Sequence, residues 1–418
     1  MTARPDSRAA ILFIFVTILV DTIGFGLILP VMPKLIVELT GVGLAEAARY
    51  NGWLAFVYAV MQFFMAPVLG NLSDRFGRRP VLLASLAALG VDYIVMGFAP
   101  WLGLLFVGRL VAGAAGASYT PAYAFIADIS PPERRAQNFG LVGAAFGVGF
   151  IVGPALGGLL AEWGTRVPFF AAAALALLNF TFGYFALPES LSQESRRPFE
   201  LKRANPLGTL LQMRRYPVVF GMLGAAFLWQ FAHQVLPSTW AFYTMLRFGW
   251  DEAAVGVSLA FAGIVMVIGQ GVFVRLLIPR LGGERRAAVI GLLFGGLVYA
   301  GYALSSEGWM MYAWMLGWAL AALAYPSLNA LMSRQLPASA QGELQGGIAS
   351  LYSLSAIVGP PIMTHLFSWF SEPSAPVYFP GAPFMTATLL VLGSAALFIW
   401  ATRHSAAQSA PAPLTDES

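Results

Sequence analysis

Asp21, Asp92 and Arg109 each stand in a long run of apolar residues, Ile11–Pro30, Val81–Pro100 and Leu102–Gly116. An ionised side chain at the centre of such a run costs about 2.5–3.5 kcal/mol to place in hydrocarbon. Residues kept at that expense usually face a polar cavity and act there. Two carboxylates and one guanidinium in such a place suit the binding and release of a proton. Low-dielectric surroundings favour a neutral carboxyl group, and a nearby arginine favours the ionised one. The same three residues could instead form a static buried pair that holds helices together.

The elements that position them follow from composition. The chain has 418 residues, 58% hydrophobic and 11% charged, with a mean hydropathy of +0.72. Soluble domains carry about 25% charge, so a multi-pass membrane protein is expected. There is no cysteine, which removes disulfides and thiolate metal sites. The apolar run after Arg4 and Arg8 is too long for a cleavable signal peptide and reads as a first spanning helix. The net charge of +4 does not suggest nucleic acid, because the basic residues flank membrane segments.

Twelve segments are long enough to cross a bilayer: 10–32, 51–71, 80–99, 102–126, 137–160, 168–187, 217–242, 253–277, 287–304, 309–332, 343–368 and 382–402. Most connections are short. The exception, 188–216, is polar and basic and divides the chain into six plus six. The expected organisation is an N-terminal six-helix bundle (1–187), a cytoplasmic linker (188–216), a C-terminal bundle (217–402) and a disordered tail (403–418). Of the 24 Lys and Arg residues, only Lys34, Arg49, Arg166 and Arg247 fall in the odd-numbered connections, and Arg109 lies inside segment 4. Arg275 lies near the end of segment 8, and the rest lie at the termini and even-numbered connections, which predicts that both termini are cytoplasmic.

The halves resemble each other. Phe139-Gly140 and Gly153-Pro154 recur as Gln345-Gly346 and Gly359-Pro360, and Arg75-Phe76-Gly77 has a degenerate partner in Arg280-Leu281-Gly282. Parallel repeats of this kind imply two bundles related by an axis along the membrane normal, with substrate between them near mid-bilayer. Asp21 and Asp92 are both about a dozen residues into segments that start inside, roughly 16–18 Å deep.

Gly70-Asn71-Leu72-Ser73-Asp74-Arg75-Phe76-Gly77-Arg78-Arg79-Pro80 is a densely charged hairpin that must sit at a membrane face. Asp74 and Asp128, with Arg75, Arg78, Arg79, Arg134 and Arg135, could form a latch that closes the inner side and breaks when the bundles rock. Ordinary surface pairing, worth about 0–1 kcal/mol, is the alternative. Gly149, Gly153, Pro154 and Gly157 allow close helix approach and a bend, either as a flexible contact between bundles or as plain packing. Gln62, Gln230, His233, Gln234 and Gln270 could line a cavity with Phe56, Tyr58, Trp229, Trp240 and Tyr243, a wall suited to a flat amphiphilic ligand. For any one of them interhelical hydrogen bonding competes. Asn329 and Gln341 join the same scattered polar set. No metal-ligand cluster or nucleophile triad is present, although two carboxylates could bind a divalent cation carried with the substrate.

The stretch Gly70–Pro80 resembles the loop between helices 2 and 3 of the major facilitator superfamily. Asp21-Thr22-Ile23-Gly24-Phe25-Gly26-Leu27 with Pro30-Val31-Met32-Pro33, Gly108-Arg109-Leu110-Val111-Ala112-Gly113, and Gly149 through Gly158 resemble motifs of its drug:proton antiporters. Val91-Asp92-Tyr93, Arg247-Phe248-Gly249-Trp250 and Gln341-Gly342-Glu343-Leu344-Gln345-Gly346 are similar to the tetracycline exporters within that family. The resemblance implies an all-α membrane protein, twelve helices in two six-helix bundles, both termini inside. It implies a proton-driven exporter of amphiphilic compounds in a bacterial inner membrane, not an enzyme, with no resident cofactor and working as a monomer. Asp21, Asp92 and Arg109 would couple protons, and Asp74 with Arg78 would gate. The tetracycline exporters carry a histidine in helix 8 and an aspartate in helix 9, where this sequence has Met266 and Gly295. Transport of a native metabolite on the same fold, and a non-transporting receptor, are the other readings of the same residues.

Overall fold

The computed structural model describes residues 7–116, 119–131, 134–199, 215–337 and 340–408. Hydrocarbon offers the backbone no hydrogen bonds, so a long apolar segment must satisfy its own as a helix. Twelve spanning helices result: α1 Ser7–Ile28, α2 Leu44–Phe76, α3 Arg78–Gly97, α4 Leu102–Ile129, α5 Arg135–Ala161, α6 Val167–Ala186, α7 Pro217–Phe248, α8 Glu252–Arg280, α9 Glu284–Leu304, α10 Gly308–Arg334, α11 Gln341–Ser371 and α12 Ala382–Gln408. Among the described residues there is no strand.

The charged hairpin expected at Gly70–Pro80 is almost entirely helical. α2 runs through Phe76 and α3 starts at Arg78, so the chain reverses on Gly77 alone, at φ 105°. That φ is open to glycine and strained for other residues. Gly282 and Gly283 (φ 78° and 112°) make the matching turn between α8 and α9, consistent with the repeat. The connection after α1 contains a short helix, Met32–Thr40, with Met32, Pro33, Leu35 and Ile36 buried. Its nine residues are too few to span. The tail beyond 402 begins as helix to Gln408; residues 409–418 and the linker residues 200–214 lie outside the described part.

Within the first half, α1 packs on α5 and α6, α2 on α4, and α3 on α6; within the second, α12 packs on α7 and α9. The halves meet along α5 with α8 and along α2 with α11, with α2 also touching α7. These contacts gather at the end opposite the termini. There the Nζ of Lys34 lies 3.0 Å from the carboxylate of Glu252. Asn51 donates to the carbonyl of Ser238 at 3.3 Å. A Cβ on Gly158 would meet Ala253 at 2.9 Å. At the end carrying the termini, a Cβ on Gly140, Gly143, Gly271 or Gly342 would meet nothing within 4 Å. The side-chain contacts between the halves lie at the end opposite the termini.

Gly77→Ala must hold a left-handed φ and bring a Cβ to 2.7 Å from the Glu189 carboxyl carbon. The expected loss is about 1–2 kcal/mol, read as a lowered melting temperature of the detergent-purified protein. An unchanged melting temperature would contradict this account of the turn.

Candidate functional site

The two halves enclose a cavity of about 260 Å³ near the closed end. Tyr58, Gln62 and Arg109 line it from the first half, and Gln234, Ser238 and Pro360 from the second. Phe25 and Ile28 line it from α1, and Leu29 and Met32 continue the lining in the turn and short helix that follow. Asp21 lies on the face of Phe25, one turn toward the termini, since helical residues four apart share a face. It is partly accessible.

Asp92 occupies a different setting. It is 3% exposed, and its Oδ2 has no hydrogen-bond partner. Asp21 is thus partly accessible, while Asp92 is secluded. Gly108 explains the seclusion: a Cβ there would meet Asp92 Oδ1 at 2.8 Å and Met96 Cγ at 2.8 Å. The glycine lets Asp92 press against the α4 backbone. The adjacent Arg109 donates to Met96 Sδ at 2.9 Å and lies 5.8 Å from the Tyr58 ring, with its Nε unpartnered. Arg109 and Asp92 form no ion pair, yet both act on Tyr58 and Tyr93. An unmade hydrogen bond on a buried charged group costs more than a static brace would return. The arrangement suits a group that changes partner.

The scattered polar residues divide. Gln62 lines the cavity and lies 3.5 Å from the Tyr58 hydroxyl. Gln234 sits at the bend where Pro217–His233 gives way to Val235–Phe248, and its side chain packs on Gly359. Gln230 is 8% exposed and shares a small recess with Tyr352. His233 turns away into an aromatic box: its Nδ1 lies 3.0 Å from the Tyr299 hydroxyl, and its ring lies 5.0 Å from Trp229 and 4.9 Å from Trp318. It does not line the cavity. The same box accounts for Gly295, where a Cβ would meet the Trp229 ring at 2.7 Å, leaving no room for an acidic side chain. Gln270 is exposed on a π-helical turn, Gly269–Phe273, that widens α8. Such turns often mark functional positions, and no local sequence pattern announces this one.

The charged cluster at the termini end is built within the first half. Arg78 pairs with Asp74 at 2.5 Å and with Asp128 at 3.2 Å, and donates to Ser73 Oγ at 2.6 Å. Ser190 donates to the same Asp128 oxygen at 3.1 Å. Arg79 donates to the Tyr184 carbonyl at 2.6 Å, and Arg75 lies 5.1 Å over the Phe76 ring. Gly70 faces Thr120, and Arg134 is exposed; the side chain of Arg135 lies outside the described residues. Among the described residues no ion pair of this cluster crosses to the second half. The pairs are intact while the halves stand apart at this end, so they do not tie the two bundles together here. Glu189 was not anticipated. Its carboxylate accepts from the backbone N–H groups of Arg78 (2.9 Å), Arg79 (3.3 Å) and Leu191 (3.0 Å). It thus satisfies the open N-terminus of α3, where an anion is favoured.

α5 has two small-residue faces rather than one. Gly149, Gly153 and Gly157 meet Thr22, Ile23 and Leu27 of α1 in the same half. Ile151, Pro154 and Gly158 meet Gly263, Gly256 and Glu252–Ala253 of α8 in the other. Of the residues expected between the bundles, Gly149, Gly153 and Gly157 face α1, while Pro154 touches both, its ring against Gly26 of α1 and its carbonyl against Gly256 of α8. Steps of four put 149, 153 and 157 on one side, and 147, 151, 154 and 158 fall on the other.

A family model described as Major Facilitator Superfamily matches residues 14–316. The tetracycline resistance protein, class C, of Escherichia coli is 41% identical over 362 residues, covering 87% of this chain and 90% of that protein. The class G protein of Vibrio anguillarum is 38% identical, covering 86% and 91%. Among solved structures, a bacterial homolog of the human lysosomal transporter Spinster, inward-facing and unoccupied, superposes with a TM-score of 0.75 at 16% identity, over 98% of this chain and 100% of that one. The human organic anion transporter MFSD10 gives 0.68 at 24% identity, over 94% and 100%.

Gly149→Val and Gly158→Val should separate the two faces of α5. The first pushes α5 off α1 and lowers the melting temperature. The second leaves each half intact and props open the closed end, so that Asn51→Cys in the same chain, otherwise free of cysteine, reacts severalfold faster with a maleimide, on the order of the population shift that about 1 kcal/mol produces. Equal behaviour of the two variants would contradict this division.

Proposed function

The chain belongs to the major facilitator superfamily, and from that membership we propose that it is a proton-coupled antiporter exporting amphiphilic compounds of the tetracycline type. The observation that carries this reading is Asp21: a partly accessible carboxylate deep in a spanning helix, one turn along from residues that line the space between the halves. The names of the relatives support drug export over transport of a native metabolite. Charge asymmetry supports placing both termini in the cytoplasm of a bacterial cell, so the present state faces inward.

The cycle follows from one site with two competing occupants. From the cytoplasm a substrate enters between the halves and meets Asp21 ionised, with Arg109 and Gln62 beside the path. Closing the termini end and opening the other breaks the contacts of Lys34 with Glu252 and of Asn51 with Ser238. A proton arriving from outside neutralises Asp21 and releases the substrate. Asp92, sealed behind Gly108, exchanges its proton only through the Arg109 side of the site. The return step carries a proton inward, and one charge moving through 100 mV supplies about 2.3 kcal/mol. Arg78, held by Asp74 and Asp128, stiffens the hinge end of α2 and α3 while the halves rock. The path lies between two halves of one chain, so a monomer suffices. A divalent cation arriving with its substrate would meet Asp21.

Reconstituted in proteoliposomes, the wild type moves protons when tetracycline is added. Asp21→Asn is expected to lower that flux by at least about tenfold, the order of loss seen when a proton-transferring group is removed, with an unchanged elution profile. Undiminished proton movement in the variant would refute the role of Asp21.

A further inference from the structure

We propose that Tyr325, Tyr352 and Gln230 form a second substrate subsite, on the wall of the C-terminal half, that takes an uncharged aromatic part of the ligand bearing hydroxyl or carbonyl oxygens. The inference rests on the exporter reading above and names which part of the substrate each wall holds.

The cavity between the halves is lined by Gln234 of α7 and by Ala356 and Pro360 of α11. One turn toward the termini on the same faces come Gln230 and Tyr352, each four residues earlier. Asp21 stands in the same relation to the lining residue Phe25 on α1. The three therefore sit at one level, with Asp21 on one wall and Gln230 with Tyr352 on the other. Tyr352 and Gln230 line one recess. The Tyr325 and Tyr352 rings meet edge to face, 6.3 Å apart at 78°. Gln230 is buried, while Tyr352 is 44% and Tyr325 37% exposed. A recess of about 10 Å³ lies between these side chains, the room one water needs.

Two tyrosines exposed in mid-span, with a buried amide behind them, are poorly placed against lipid, where polar groups find no partners. They are well placed against a ligand or water. Their aromatic faces offer stacking area, and their hydroxyls and the Gln230 amide offer both donors and acceptors. A further turn along, Gln345 donates to Asn329 at 3.3 Å, so the wall stays polar and neutral. The opposite wall carries Asp21 and Arg109. A ligand with a charged group and an oxygenated ring system would be held in one orientation.

Because the chain has no cysteine, Tyr352→Cys and Tyr325→Cys can each be labelled alone. Tetracycline is expected to slow maleimide labelling at both positions by about fivefold or more, while tetraphenylphosphonium, a cation without oxygens, leaves the rates unchanged. Tyr352→Phe and Tyr325→Phe keep the ring and the fold; each should weaken tetracycline binding by about three- to tenfold, the loss of one hydrogen bond. Tetraphenylphosphonium binding should change by less than about twofold, below the smallest such loss. Labelling unaffected by tetracycline in a protein whose wild type transports it would overturn the subsite and leave the exporter reading standing. Equal loss for both probes would mark the tyrosines as structural and also overturn it. Absence of tetracycline transport by the wild type would overturn both.

Discussion

A titratable carboxylate inside a hydrocarbon span is stable only where water or a partner reaches it, and Asp21 is partly accessible. That constraint organises the rest of the molecule. The two halves must meet tightly at the end opposite the termini, or the group would open to both compartments at once and a proton would leak. They must also part at the other end, or no substrate could arrive. The contacts distribute accordingly: Lys34 with Glu252, Asn51 with Ser238 and Gly158 with the start of α8 at the closed end, and open space around Gly140, Gly143, Gly271 and Gly342 at the other.

Small residues make the closed end possible, and they do so as two separate seams. α5 presents one glycine face to α1, which fixes it within its own half, and another to α8, which closes against it. The first seam must hold through every state. The second must form and break. Backbone-to-backbone packing gains through dispersion and close fit, not through burial from water, because lipid is as apolar as the helices. The charged cluster around Arg78 belongs to the permanent structure of its half in this state, together with Glu189 at the start of α3.

Much of this was legible in the residues. Apolar length gives every spanning helix, because the bilayer leaves a long apolar segment no other way to satisfy its backbone. The intramembrane position of Asp21, Asp92 and Arg109 marks them for the same reason. What sequence could not give is the direction in which a side chain points. Asp92 looks equivalent to Asp21 by depth and is sealed, because Gly108 admits it to the α4 backbone. His233 reads as a cavity residue and belongs to an aromatic box with Trp229, Tyr299 and Trp318. The glycines of α5 announce close packing, yet their spacing alone does not name the partner on each face. Glu189 lies in the linker, more than a hundred residues from the helix end it caps, and the π-helical turn at Gly269–Phe273 has no local pattern to betray it.

One carboxylate shared in turn by proton and cargo is the central claim, and proton release on binding tests it most directly. Calorimetric titration of the purified protein with tetracycline, repeated near neutral pH in buffers of different ionisation enthalpy, counts the protons displaced per molecule bound. Linkage between the two occupants predicts a net release approaching about one proton when Asp21 starts protonated, and none in Asp21→Asn. Binding without any proton release across the pH range, or a release that survives the substitution, would contradict the account.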